Sequence, residues 1–240
     1  MFDLALFRLA MMVVAAAFLA LERIAPGREM PHAPGWYGRA ILINPVQVAI
    51  TFATNHLWLD LLSGVSLFHL PDSRVPCCRD SSAGSSAHSS STGGTASASA
   101  RLLGCLPPGS PFSGAMTAFY KHPIEILTDS ALAAVVVYPL LGSSLEGALW
   151  FNFFAAAGEL FYHANIATPH WVKYFIQTPE LHSIHHQLDV HHYNYADLPL
   201  WDRLFGSYRD ADTFAARCGL PRNNERPLGR MLLFRDVYKD

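Results

Sequence analysis

The sequence predicts an all-α integral membrane protein: a transmembrane helical bundle followed by a polar, histidine-rich C-terminal region that packs as a cap. Three observations predict it. The apolar residues are clustered in long runs, the last third is polar and rich in histidine at helical spacing, and a Ser/Ala/Gly/Pro-rich disordered tract interrupts the chain between the second and third apolar runs. With 240 residues and 51% hydrophobic content the chain is long enough for one substantial domain, taken here as residues 1–240. Its mean hydropathy of +0.18 is high for a soluble domain. The net charge of -2, with no basic stripe, speaks against a nucleic-acid partner.

Residues 1–21 are almost wholly apolar, broken only by Asp3 and Arg8, and residues 41–70 hold a second apolar run. A bilayer crossing needs about 20 apolar residues, so both runs are read as transmembrane helices. A cleaved signal peptide fits the first run poorly. The start is not basic, and Glu22-Arg23-Ile24-Ala25-Pro26 lacks a small-x-small cleavage pattern. Residues 26–38 form a Pro/Gly-rich loop, and Arg23, Arg28 and Arg39 in or beside it favour the cytoplasmic side. Asn55, His56 and Asp60 are polar groups in the second run, read first as interhelical hydrogen-bonding groups. A third apolar run, residues 131–162, is split by Gly142-Ser143-Ser144 and Glu146. It predicts a hairpin of two short helices that enters the bilayer and returns.

Residues 73–114 change character abruptly, as in Ser89-Ser90-Ser91-Thr92-Gly93-Gly94. Such composition makes a flexible linker with little capacity for a core, and a structureless insert of this length inside a domain is uncommon. Cys77, Cys78, Cys105 and Cys218 give neither a disulfide framework nor a CxxC metal knuckle.

The chemistry lies further on. Leu181-His182-Ser183-Ile184-His185-His186 spaces three histidines i, i+3, i+4, which on a helix points the imidazoles from one face. Imidazole is neutral near pH 7 and is the commonest ligand for zinc, iron and copper. The alternative is a solvated helix that is rich in histidine. His163 closes the apolar hairpin about twenty residues earlier, and from Asp189 onward aromatic and polar residues alternate through Asn194-Tyr195 and on to Tyr208.

Taken in order, Lys121-His122-Pro123-Ile124-Glu125, Phe161-Tyr162-His163-Ala164-Asn165, His182-x-x-His185-His186, Asn194-Tyr195 and Trp201-Asp202-Arg203-Leu204-Phe205-Gly206 resemble the fatty acid hydroxylase/sterol desaturase superfamily. The resemblance covers roughly the second half of the chain. A lone HxxHH is weak, whereas the ordered set is specific. It implies a four-helix membrane scaffold with a cytosolic cap, two metal ions held by eight or more histidines, and hydroxylation or desaturation of a lipid C–H bond with O2. The metals would be iron, with zinc as the chemical alternative. The partners implied are a membrane lipid substrate and an electron-donating redox protein.

Carried over residue by residue, the resemblance makes His182, His185 and His186 metal ligands. His163 matches a further ligand position, against the alternative of a helix-end histidine bonded to backbone. His122 matches a His-Pro position that is either a ligand or structural, since Pro123 also sets a helix start. His191 and His192 are read as supporting or exposed, and Asn194 as a hydrogen-bond partner for a metal-bound water. Asp202 and Arg203 are read as holding the cap together, Trp201 and Phe205 as packing. His32, His56, His69, His88 and His170 are left unassigned.

The chain departs from the family in one place. Two further histidine boxes, HxxxH and HxxHH, belong where the Ser-rich tract lies, and neither is present. As written, the chain should fall short of two metals. The genetic code offers an account. TTC TAC TGG TGG CAC CGC encodes Phe-Tyr-Trp-Trp-His-Arg; dropping one base gives Ser-Thr-Gly-Gly-Thr-Ala, which is Ser91 to Ala96. CAC CAG GTT CAC CAT TCT encodes His-Gln-Val-His-His-Ser; read one base early, after a C, it gives Pro-Pro-Gly-Ser-Pro-Phe, which is Pro107 to Phe112. Residues from about 73 to 114 are therefore read as an out-of-frame translation, with three slips in one sense restoring the frame near Gly114. The competing functional class is a non-catalytic membrane pseudoenzyme that binds one metal or none. A transporter would predict charged residues in several spans and internal repeats, and no repeat is seen.

Overall fold

The computed structural model describes residues 4–29, 36–62, 114–119, 123–188, 190 and 192–218. These residues are mostly helical, with only isolated bridges, Pro26 to Ile166 and Gln187 to Cys218, in place of strands. Residues 73–113 of the Ser-rich tract lie outside the described residues.

Two long helices come first, α1 (Leu4–Ile24) and α2 (Trp36–Leu62). Among the described residues α1 is the one helix long and apolar enough to cross a membrane. The second run does form a helix of 27 residues, longer than a crossing needs. It falls short in apolar character, because Asn44, Gln47, Asn55, His56 and Asp60 interrupt it. Only one of the two spans read from the sequence is therefore met.

Polar side chains on α2 are used for packing. Trp58 Nε1 donates to Ser130 Oγ at 3.1 Å, and Ser130 Oγ donates to Thr54 Oγ1 at 2.8 Å. This hydroxyl chain ties α2 to α3 (Pro123–Val135), the helix it packs against. Hydrogen bonds of this kind hold helices together where the surroundings are apolar. Of the residues expected to do this, His56 and Asp60 are exposed, and the side chain of Asn55 lies outside what is described.

The third apolar run folds as a helical hairpin. α3 continues into a π turn, Val136–Leu140, that contains Pro139. Proline has no N–H to donate, and the wider i→i+5 pattern accommodates it. Leu141 N bonds Val136 O at 3.0 Å, and Gly142 turns the chain with a φ of +62°. Ser144 then caps α4 (Leu145–His163), its Oγ accepting from Gly147 N at 3.2 Å. The break falls at the Gly-Ser-Ser predicted to split the run. Ala134, Val137, Tyr138, Ala148 and Phe151 form the hairpin's core, with Trp58, Leu59 and Leu62 of α2 against it.

A second core joins α1 to the far end of α4. Ala115, Ala118, Leu160 and Ala164 are buried there, packed by Val14, Ala15, Phe18 and Leu19. The segment after α1 is then laced to the segment after α4. Gly27 N donates to Asn165 O at 2.9 Å, while Asn165 Nδ2 donates to Arg28 O at 2.9 Å and its Oδ1 accepts from Arg28 N at 3.2 Å. Glu22 Oε2 accepts from Ala115 N and Asn165 N at 2.9 and 3.3 Å.

At Gly27 the two segments come too close for a side chain. A Cβ there would lie 2.8 Å from Ala167 N and from Ile166 C, and 2.7 Å from Phe214 Cε2. Two of these are backbone atoms that cannot step aside. Gly27→Ala is expected to destabilise the fold by about 1–3 kcal/mol, the usual cost of forced overpacking. A thermal melt of the detergent-purified variant against the parent checks it, and an unchanged midpoint would refute the close approach.

Two short helices complete the C-terminal region: α5 (Pro179–His185) and α6 (Pro199–Phe205). A 3-10 turn, His170–Tyr174, precedes α5 and packs against α6.

Candidate metal centre

His163 stands at the last position of α4, and α5 is built to face it. Thr178 caps α5, its hydroxyl accepting from Leu181 N at 3.4 Å, and Pro179 supplies the preset φ of a first helical residue. Glu180 in the first turn reaches back to the loop after α4. Its carboxylate accepts from Thr168 N and Thr168 Oγ1, both at 2.8 Å. Ser183 Oγ donates to Glu180 O at 2.6 Å and accepts from Ala215 N at 2.8 Å. A seven-residue helix is too short to hold itself in water, so these tertiary bonds keep it formed.

On this frame three imidazoles converge. His182 Nε2 lies 3.2 Å from His163 Nε2 and 3.0 Å from His186 Nε2. One nitrogen from each of His163, His182 and His186 falls within 4.8 Å of the others, with His163 and His182 buried and His186 half-buried. A neutral imidazole nitrogen carries either one proton or one lone pair, so His182 Nε2 cannot satisfy both neighbours with a proton. A shared cation can. Ligand nitrogens about 2.0–2.1 Å from one ion sit about 3.0–3.4 Å apart, which brackets both distances.

The far side of the His163 ring agrees. His163 Nδ1 is 2.8 Å from Glu159 O and 3.4 Å from Glu159 Oε2. A proton held on Nδ1 by that carbonyl leaves the Nε2 lone pair turned to the cluster, the tautomer a metal requires. Donor type, spacing and tautomer therefore fit a transition-metal ion.

The three histidines of the HxxHH stretch do not act alike. His182 and His186, one turn apart, point together. His185 lies alongside: its Nδ1 meets Tyr193 O at 3.2 Å, and its ring packs edge-on against Tyr195 at 5.0 Å while remaining 5.4 and 5.2 Å from the rings of His182 and His186. It stands beside the group of three and not among it. His122 and His191 lie outside the described residues, and His192 is exposed.

Asn194 is occupied otherwise than the sequence suggested. Its Nδ2 donates to Leu181 O and to Arg209 O, both at 2.9 Å, and its Oδ1 accepts from Arg209 N at 2.9 Å. An amide engaged in this way with three backbone groups is spent on structure, in place of the metal-bound water expected of it. The residue is fully buried at a φ of +52°, a left-handed conformation that asparagine tolerates better than most. It ties the segment 193–209 to α5, beside His182.

Asp202 holds the next turn together, as read from the sequence. Its carboxylate accepts from Tyr195 N at 3.0 Å, Ala196 N at 2.9 Å and Ser207 Oγ at 2.6 Å. Arg203 lies between the rings of Tyr208 and Tyr174, at 4.5 and 5.6 Å from their centroids, and Trp201 stacks on Phe205. Asp202→Ala would leave three donors without their acceptor, at a cost of about 3–5 kcal/mol. The expected result is a lowered melting midpoint together with weaker metal retention; a variant that melts like the parent would sink this role.

Sequence reasoning missed Glu159, Tyr162 and Lys173. Glu159 stands four residues before His163, a helical spacing that could have been noticed. Tyr162 is buried with its ring 4.5 Å from that of His182. Lys173 is 2% exposed and bonded to Asp210 at 2.7 Å and to Asp212. Burial alone would lower its pKa. The hydrogen bonds it donates to the two carboxylates outweigh that and hold the ammonium charged, with its pKa above the ordinary range. Asp210 and Asp212 are lowered in turn, each chiefly through its hydrogen bond with Lys173.

Comparison with known proteins agrees with this construction. The fatty acid hydroxylase family model matches residues 110–207. Very-long-chain aldehyde decarbonylases of Oryza sativa subsp. indica and subsp. japonica are each 26% identical over 98 residues, which is 39% of this chain and 38% of theirs. The matched stretch is thus well under half the length of those relatives. No solved structure matches the chain significantly. The stretch that matches the fatty acid hydroxylase family model, residues 110–207, carries all three converging histidines.

Proposed function

We propose that this protein is a membrane oxidoreductase that oxidises a C–H bond of a long-chain lipid, with a metal ion held by His163, His182 and His186. The observation that carries the proposal is the convergence of three imidazole nitrogens in a domain of the fatty acid hydroxylase family. Iron bound there would supply O2 activation, chemistry that side-chain acids and bases cannot perform on an inert C–H bond. The chain's own part is to hold and tune. Glu159 O fixes the His163 proton, the Tyr193 carbonyl orients His185, and Asn194 with Asp202 holds the C-terminal frame in register.

The same reading makes the protein a multi-pass membrane protein with its histidine-bearing region on the cytoplasmic side. α1 spans the bilayer, and α2 and the α3–α4 hairpin enter it. Exposed apolar residues run along these helices, among them Leu9, Met12, Val13, Ile41, Leu42 and Leu132, as expected of surfaces facing lipid. A second metal, O2 as co-substrate and an external electron donor complete the reading. The rice relatives are named for a very-long-chain aldehyde, which favours a long-chain acyl derivative as the substrate class.

One observation favours a second reading. Among the described residues one group of three ligands is found, enough for one ion and short of two. A pseudoenzyme with a single bound metal would look the same. Metal analysis of the detergent-purified chain, followed by lipid mass spectrometry after incubation with O2 and a reductant, separates them. Iron with an oxidised lipid product supports the enzyme. Zinc or no metal, without product, supports the pseudoenzyme.

A further inference from the structure

The turn His170–Tyr174 and helix α6 are inside out for a protein surface in water. Lys173 is buried between Asp210 and Asp212, whereas its neighbours Trp171, Tyr174 and Phe175 are 63%, 52% and 67% exposed. α6 shows the same inversion. Its buried residues are Pro199 and Asp202, and Leu200, Leu204 and Phe205 stand 62%, 67% and 77% exposed.

The two elements share one surface. They pack together, and Arg203 of α6 lies over the Tyr174 ring. Trp171 and Phe175 are neighbours on one element, Trp201 and Phe205 on the other, with ring centroids 6.4 and 6.3 Å apart. Together the exposed side chains of the two packed elements present a group of large apolar residues, the kind of feature that marks an interaction surface. Three aromatics left exposed around a lysine that is buried and paired with two carboxylates are better accommodated where the rings meet a less polar medium.

Its position in the chain says which medium. The segment leaving α1 is bridged to the loop after α4, with Pro26 paired to Ile166 and Gly27 bonded to Asn165. The aromatic turn begins at His170, four residues beyond Ile166. The patch thus starts beside the point where α1 ends. Its composition is that of a headgroup layer: aromatic rings with polar edges, and the Arg203 cation between two tyrosines.

We propose that the surface made by Trp171, Tyr174, Phe175, Leu200, Leu204 and Phe205 rests in the bilayer interface, with phospholipid headgroups and upper acyl chains as its occupant. This docks the histidine centre against the membrane through a contact separate from the helices that enter it. The inference rests on the membrane placement proposed above, and the test keeps the two apart.

Phe175, Phe205 and Val13 are each replaced in turn by the photocrosslinker p-benzoylphenylalanine in the full chain. Each protein is reconstituted in phosphatidylcholine/phosphatidylglycerol vesicles, irradiated and analysed by peptide mass. Val13 lies on α1 and is 58% exposed, so it reports on the spanning helix alone. The expected result is a phospholipid adduct at all three positions. An adduct at 13 with none at 175 and 205, or with chain-to-chain crosslinks there, overturns the docking surface and leaves the membrane placement standing. Adducts at 175 and 205 with none at 13 support the docking surface and remove the spanning role of α1. Adducts at none of the three overturn both.

Discussion

Replacing His182 with alanine is expected to remove the bound metal. Its Nε2 is the hub of the site, 3.2 Å from His163 and 3.0 Å from His186, so the substitution takes away the nitrogen that both others approach. Two imidazoles would remain on an ion that needs at least three protein ligands to be retained. Loss of affinity should exceed the roughly 10–100-fold that follows from disturbing residues around a metal's ligands. His185→Ala provides the comparison. His185 is held by the Tyr193 carbonyl beside the group of three, and its loss is expected to fall within that range. Metal content after dialysis against a chelator gives the first readout. A second guards against simple misfolding: added metal should raise the melting midpoint of the parent and of His185→Ala, but not of His182→Ala, because only a site that binds can be stabilised by its ligand. If His182→Ala keeps its metal and its metal-dependent stabilisation, the site lies elsewhere.

The parts of this site that local spacing governs were legible in the sequence. An i, i+4 pair on a helix must share a face, and His182 and His186 do. Gly142 and Ser144 carry the turn chemistry that breaks an apolar run into a hairpin, and the run breaks there. Tertiary contacts decide the rest. His185 is also on the histidine-rich turn, but it stands beside the group of three and not in it, its Nδ1 on a carbonyl eight residues later, and nothing in the spacing announces that placement. Asn194 reads as a polar residue near a metal site, yet its amide is consumed by Leu181 and Arg209. The second apolar run looked like a span because runs are judged by their apolar residues. Thr54 and Trp58 turn out to be packing groups toward α3, and the polar positions between them weaken the helix as a membrane crossing. Lys173 is the sharpest case. A lysine flanked by Trp171, Tyr174 and Phe175 would be placed outside on composition alone, and only Asp210 and Asp212, nearly forty residues away, bring it in.

Resequencing the DNA that encodes residues 73–114 is expected to show three small slips of the same sense, and the corrected chain to bind two metal ions where the present chain binds one at most. The family match begins at residue 110, within a few residues of Gly114, where the frame was inferred to be restored. Codons exist for which a shift of one base turns Ser91 to Ala96 into Phe-Tyr-Trp-Trp-His-Arg and Pro107 to Phe112 into His-Gln-Val-His-His-Ser, and the DNA shows whether the gene uses them. The ligand arithmetic points the same way. His163, His182 and His186 could hold one ion, and among the described residues no second group of three ligands comes together for the second ion that the resemblance implies. Histidines from the two restored boxes would supply them. The effect should be large: metal per chain doubling, and lipid oxidation rising from background to turnover. Adding back only one box tests the arithmetic further, since a half-filled second position should leave the stoichiometry near one. If the genomic sequence instead confirms the Ser-rich tract, the chain is a natural product of its gene with a single three-nitrogen site. Glu159, Thr178 and Ser183 would then brace a metal-binding site and not an oxygen-activating one.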